Sequence, residues 1–98
     1  MITRIVRMSF TPEKKDDFLE IFHDAKKKIR AMEGCQYLSL HRDYHHVNVY
    51  YTLSKWDSQE ALDQYRDSDL FKTTWEATRK CFNEKAQAYS LKQEVELN

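Results

Sequence analysis

One glycine, one proline and two cysteines are all that 98 residues contain of the types that punctuate or crosslink a chain. So little Gly and Pro excludes a low-complexity or linker-rich protein. No glycine-rich phosphate loop can be drawn either, which argues against a nucleotide cofactor. Net charge is missing too, because 16 basic residues balance 16 acidic ones. A nucleic-acid binder would show a basic excess or a basic stripe. The single basic run, Lys26-Lys27-Lys28 with Arg30, falls at the end of a helical pattern. Cations there complement the helix dipole and solvate the outer face. No apolar run approaches the ~20 residues of a membrane span, and Met1-Ile2-Thr3-Arg4 lacks an apolar signal core. The expectation is a cytoplasmic protein without a nucleic-acid or membrane partner. Its Cys35 and Cys81 are expected as reduced thiols, buried as small hydrophobes.

What is abundant is aromatic surface, at 13% of residues, within a hydrophobic fraction of 41%. The even positions Ile2, Val6, Met8 and Phe10 are apolar, with Arg4 the exception, and this period of two predicts a strand over 2–10. Thr11-Pro12-Glu13 then offers a capping hydroxyl, a proline at the first helical position and an early acid. Phe18, Ile21, Phe22, Ala25, Ile29 and Met32 recur at helical spacing and form one apolar stripe. Gly34 is expected to stop that helix from the C′ position.

Alternation resumes from Cys35 to Asp43, with Leu38 and Leu40 on one side and Tyr37, Ser39 and His41 on the other. Asp43-Tyr44-His45-His46 reads as a hairpin turn, and residues 47–55, rich in β-branched and aromatic types, as a third strand. Asp57 with Glu60 three residues on resembles a capping box for a short helix carrying Leu62 and Tyr65. Asp67-Ser68-Asp69 begins another, striped by Phe71, Thr74, Trp75 and Thr78. Residues 86–95 alternate again. The order β-α-β-β-α-α-β predicts one α+β domain over residues 1–98. It is a ferredoxin-like βαββαβ with a four-stranded antiparallel sheet and a split second helix. Two helical stripes cover one face of that sheet and leave bulky groups on the other. A small domain does not leave a large apolar patch in water. A twofold homodimer, sheet on sheet, is the expected solution.

Glu33-Gly34-Cys35, Leu40, Arg42-Asp43 and the run Trp56-Asp57-Ser58-Gln59-Glu60-Ala61-Leu62 together resemble the antibiotic biosynthesis monooxygenase (ABM) family. That resemblance implies a dimeric α+β barrel. It also implies oxidation of an electron-rich aromatic, a quinol or a polycyclic phenol such as an anthrone, by molecular oxygen without a cofactor. Trp56, Tyr65, Phe71, Trp75 and the inward strand residues would line the pocket for such a small aromatic ligand. The chain departs from the family at two polar positions. Tyr65 stands where a histidine is frequent, and Ser54 where an acid often precedes the tryptophan. These departures keep open a non-catalytic alternative, a binding or stress-response module holding a small hydrophobic ligand. Haem-degrading relatives use an Asn, a Trp and an iron-ligating His. The corresponding slots here hold Arg7 or Met8, Tyr65 and Trp75, and none matches.

His41 is the candidate general base, since an imidazole titrates near working pH. It can act only if its strand face points to the helices; otherwise it lies at the dimer seam or in solvent. Tyr50 and Tyr65 are candidate hydrogen-bond partners for a phenol, or else core tyrosines. His45 and His46 sit beside His41, but zinc wants three or four converging ligands at defined spacing, so no metal site is expected.

Overall fold

In the computed structural model, which describes all residues 1–98, four antiparallel strands lie in the order β2-β3-β1-β4. They are β1 (Ile2–Ser9), β2 (Cys35–Arg42), β3 (Val49–Trp56) and β4 (Gln87–Leu91). Three helices, α1 (Lys15–Arg30), α2 (Gln59–Arg66) and α3 (Asp69–Arg79), cover one face. This is the ferredoxin-like α+β fold, with the second helix split as the Asp67-Ser68-Asp69 signal predicts. No helix is long and apolar enough to cross a membrane.

Strand register decides what each face carries. β1 pairs with β3 from Ile2–Trp56 to Ser9–Val49, and with β4 from Thr3–Leu91 to Arg7–Gln87. Side chains alternate across a pleated strand, so residues of one parity share a face. Val6 and Met8, Leu38, Thr52 and Trp56, and Ala88 thus point under the helices. Ile5 and Arg7, Ser39 and His41, Tyr51 and Leu53, and Tyr89 point away.

The core forms in two centres on the helix side. Phe10, without exposed surface, stacks on Phe18 at 4.2 Å between ring centroids, and Tyr50 leans on both. The second centre joins Cys35, Trp56 and Leu62 under α2. Both cysteines are buried and unpaired.

Local signals read from sequence are corrected at three places. Thr11 makes no side-chain cap. A single 3-10 turn over Pro12–Lys14 intervenes, and the Thr11 carbonyl accepts from the Lys14 amide at 2.8 Å. α2 is capped by Ser58 and not by Asp57: the Ser58 hydroxyl accepts from the Ala61 amide at 3.1 Å. Asp57 instead accepts from the Gln36 amide nitrogen across the sheet edge. Gly34 lies three residues beyond the C-cap Ala31, so it is not the C′ residue. Its φ of +85° turns the chain into β2, and a Cβ added there would stand 2.5 Å from the Ala61 Cβ. Glycine is needed for both reasons, conformation and close approach. The hairpin between β2 and β3, undefined by sequence, is held by Asp43, whose carboxylate accepts from the His45 and His46 amides. Those bonds hold the Asp43 carboxyl below its ordinary range.

The helix-free face retains exposed bulk. Tyr37 is 42% exposed, Tyr89 52% and Leu91 46%. Lys55 sits over the Tyr37 ring, 5.3 Å from its centroid.

Candidate functional site

A cavity of about 280 Å³ lies between the helices and the sheet. Its aromatic wall begins at Trp56, the last residue of β3, where the strand runs out beneath α2. The indole stacks on Tyr65 at 4.9 Å and 20°. Tyr65 meets Phe71 edge-on at 5.2 Å, and Phe71 stacks on Trp75 at 5.9 Å and 9°. Helical spacing produces this row: Phe71 and Trp75 are four apart on α3 and so project from one side. The Ser68 cap, which accepts from the Phe71 amide, sets where α3 starts and hence where that side faces.

All four aromatic residues that the family resemblance implied line this one cavity. The other two candidates lie elsewhere. Tyr50 belongs to the Phe10–Phe18 centre and borders a separate surface depression with Leu40, Arg42 and Asp43. It is spent on packing because its ring leans on the stacked Phe10 and Phe18. His41 is on the helix-free face, exposed, with its Nε2 2.8 Å from the Ser39 hydroxyl. The parity that sends Leu38 and Leu40 under the helices sends His41 away from them, so the condition under which it would serve this cavity as a base is not met.

Sequence reading did not assign the two charged residues, Arg4 and Arg66, to the cavity. Arg4 projects into it from β1, flanked in the sheet by Ser54 and Ser90, and Arg66 enters from the end of α2. The signal was visible: Arg4 is the one polar residue at an inward-parity position of β1. The Arg4 guanidinium donates to the Ser90 hydroxyl at 3.0 Å. Burial, and then the Arg66 charge, lower its pKa from the ordinary arginine value. Thr52, Thr74 and Thr78 add hydroxyls, of which Thr78 is engaged with the Thr74 carbonyl at 2.7 Å. Ser54, standing where the family often has an acid, accepts from the Trp56 indole N–H at 2.9 Å and so positions the ring.

Tyr65 is the cavity's acid of highest interest. Burial, with a smaller contribution from the Cys35 charge, raises its phenol to about 12. It therefore stays a neutral hydrogen-bond donor at any ordinary pH. No Asp, Glu or His lines the cavity. Nowhere in the chain do three His, Cys, Asp or Glu side chains come together as a metal would need.

The family profile described as antibiotic biosynthesis monooxygenase matches residues 1–77. The chain belongs to the ABM family. That match ends within α3, so it spans β1 to β3 and every residue of the aromatic wall. A solved antibiotic biosynthesis monooxygenase superposes with a TM-score of 0.91 at 17% identity, over 97% of this chain and 100% of that one. A conserved protein from Methanosarcina mazei Go1 gives 0.90 at 20% identity, over 96% and 94%. Rv0793 from Mycobacterium tuberculosis gives 0.90 at 16%, over 99% and 98%. At these identities the likeness is one of fold. No curated protein matches the chain by sequence. Family membership makes monooxygenase chemistry the reference against which the cavity is read.

Proposed function

We propose that this ABM-family chain is a cofactor-independent monooxygenase acting on a small quinol-like or polycyclic phenolic substrate. The observation that carries this reading is the aromatic wall of Trp56, Tyr65, Phe71 and Trp75. Offset aromatic surfaces hold a flat ring better than aliphatic ones, and a recess between sheet and helices excludes bulk water. The volume stands at the low end of the range for ligand sites, which favours one or two rings over an extended polyketide. In the reaction the substrate loses a proton and its anion reduces oxygen. For an anthrone-type ring methylene, the carbon gains one oxygen atom as a carbonyl, and the other leaves as water with the two hydrogens. Tyr65, neutral and donating, suits hydrogen bonding to a ring oxygen of the substrate. The whole chain, residues 1–98, acts as one domain in this reading.

The assembly belongs to the same proposal. Tyr37, Leu53, Tyr89 and Leu91 on the helix-free face support a homodimer packed sheet on sheet, a dimeric α+β barrel. His41 with Ser39 then lies in the seam, away from the substrate. Two unpaired thiols, Cys35 and Cys81, fit a reducing, cytoplasmic setting.

A second reading, binding without turnover, draws on one observation: no group that titrates near neutrality lines the cavity. Oxygen consumption separates the two. With reduced menadione or anthrone, wild-type protein is expected to accelerate oxygen uptake. Trp75→Ala should lower kcat/KM by about tenfold or more, since it removes a wall that holds the ring. Binding of either compound without uptake establishes the second reading. No uptake across a panel of quinols and anthrones overturns the first.

A further inference from the structure

The cavity's charge is as informative as its aromatic wall. Two guanidiniums, Arg4 and Arg66, line it, and no carboxylate does. The chain's ion pairs are Arg7–Glu84 and Arg79–Glu76, and neither involves these two residues. Neither Arg4 nor Arg66 has a carboxylate partner. An arginine drawn out of water is normally paired, because desolvating a charge costs more than a neutral partner returns. Arg4 is part-buried, and its one side-chain partner is the Ser90 hydroxyl, against five N–H donors in a guanidinium. Arg66 adds a second positive charge to the same recess. Burial and the neighbouring charge both act against the Arg4 cation, and its lowered pKa reports that. Arg4 is thus the one charge among Ile2, Val6 and Met8 at the inward positions of β1, and Arg66 places a like charge on the same recess.

We infer that the cavity is built for an aromatic anion: a flat ring against Trp56, Tyr65, Phe71 and Trp75, with a carboxylate or acidic phenolate oxygen between Arg4 and Arg66. The inference deepens the proposed function and rests on it, since it names the substrate class of that same site. It also fits the absence of an acid from the lining, because a carboxylate there would repel the anion. Guanidinium is suited to the role because it offers parallel N–H donors to two oxygens and stacks on aromatic faces.

Naphthalene-2-carboxylate and its neutral analogue naphthalene-2-carboxamide differ in charge but hardly in shape. Both tryptophans of the chain, Trp56 and Trp75, line the cavity, so quenching of intrinsic fluorescence reports occupancy. Wild-type protein at low ionic strength should bind the carboxylate at least about tenfold more tightly than the amide, the scale of one charged hydrogen bond. Arg66→Gln and Arg4→Gln should each remove most of that preference while leaving amide affinity within about twofold. Arg4→Lys should retain part of it. Arg66 is exposed at a helix end, so Arg66→Gln leaves the fold intact even if Arg4→Gln does not. Equal affinity of wild-type protein for the two compounds overturns the anion inference and leaves the aromatic-cavity reading standing. Preference that survives both Gln variants overturns the assignment to Arg4 and Arg66. Quenching by neither compound overturns the cavity as a ligand site, and this inference with it.

Discussion

The two faces of the sheet are made by alternate residues of the same strands, and they differ in nearly every respect. Beneath the helices, β1 contributes Arg4, Val6 and Met8, and β3 contributes Thr52, Ser54 and Trp56, all around one recess. On the other face the neighbours of those residues, Ile5 and Arg7, Tyr51 and Leu53, meet no helix. Polar groups on the helix-free face find partners close by: Arg7 on Glu84 at 2.8 Å, Ser39 on His41 at 2.8 Å, Tyr51 on Asp43 at 3.5 Å. In the recess, charged groups lack carboxylate partners while the aromatic rings pack on one another. Self-satisfied polar groups with exposed aromatic bulk suit a surface that meets another protein. Charge without a carboxylate partner beside a stacked wall suits a surface that meets a small molecule.

The largest effect that tests this contrast comes from the residue anchoring the recess. Trp56→Ala removes a ring 1% exposed, and it should destabilise the fold by about 3–5 kcal/mol, measured by urea unfolding. A loss below about 1 kcal/mol would mean that the recess is loosely packed and that its shape is not fixed by this ring.

Alkaline pH provides the next. An acid whose phenol is raised on folding is stabilising below its unfolded value of 10, and that contribution is lost as pH climbs towards 12. Wild-type protein should lose up to about 2 kcal/mol across that window relative to Tyr65→Phe, followed by thermal melts. Parallel curves for the two proteins would place the Tyr65 phenol in water.

On the opposite face, Leu53→Lys puts a charge in the centre of the proposed seam. It should convert the dimer to monomer at micromolar concentration in analytical ultracentrifugation and change unfolding free energy of the monomer by less than about 1 kcal/mol. A monomeric wild-type protein would remove the dimer reading altogether.

The smallest effect is expected at His41. His41→Ala should leave turnover within about twofold of wild type, since the imidazole lies across the sheet from the recess, a surface change of ordinary size. A loss of about a hundredfold would show that the helix-free face takes part in the chemistry and would dissolve the contrast between the faces.

Much of the architecture was legible beforehand. Period-two alternation marked each strand, although β4 stops at Leu91 and not at residue 95 and β3 starts at Val49 and not at residue 47. The stripe from Phe18 to Ile29 marked α1, and Ser68 between two aspartates marked the break between α2 and α3. The aromatic wall was legible through the family resemblance at Trp56 to Leu62. Caps were read less well. Asp57 and Ser58 both have the chemistry of an N-cap, and only the direction in which β3 arrives makes Ser58 the acceptor for Ala61. Gly34 was identified, but its close approach to Ala61 involves a helix 25 residues away and leaves no local trace.

The sequence by itself determined the element order, the parity of every strand and the kinds of group each parity carries, because these follow from the period of a local backbone. It also contained the family signature. Which parity would lie under the helices was left to tertiary structure. In β2 both parities include bulky residues, Leu38 and Leu40 against Tyr37 and His41, and either could have been buried. Packing of α1 onto the leucines settled the choice, and with it His41 went to the helix-free face. The same choice brought Arg4, on the first strand, beside Arg66, 62 residues away by number, in a recess without an acid. Long-range proximity of like charges has no periodic mark in a chain; it exists only once the sheet and helices are packed.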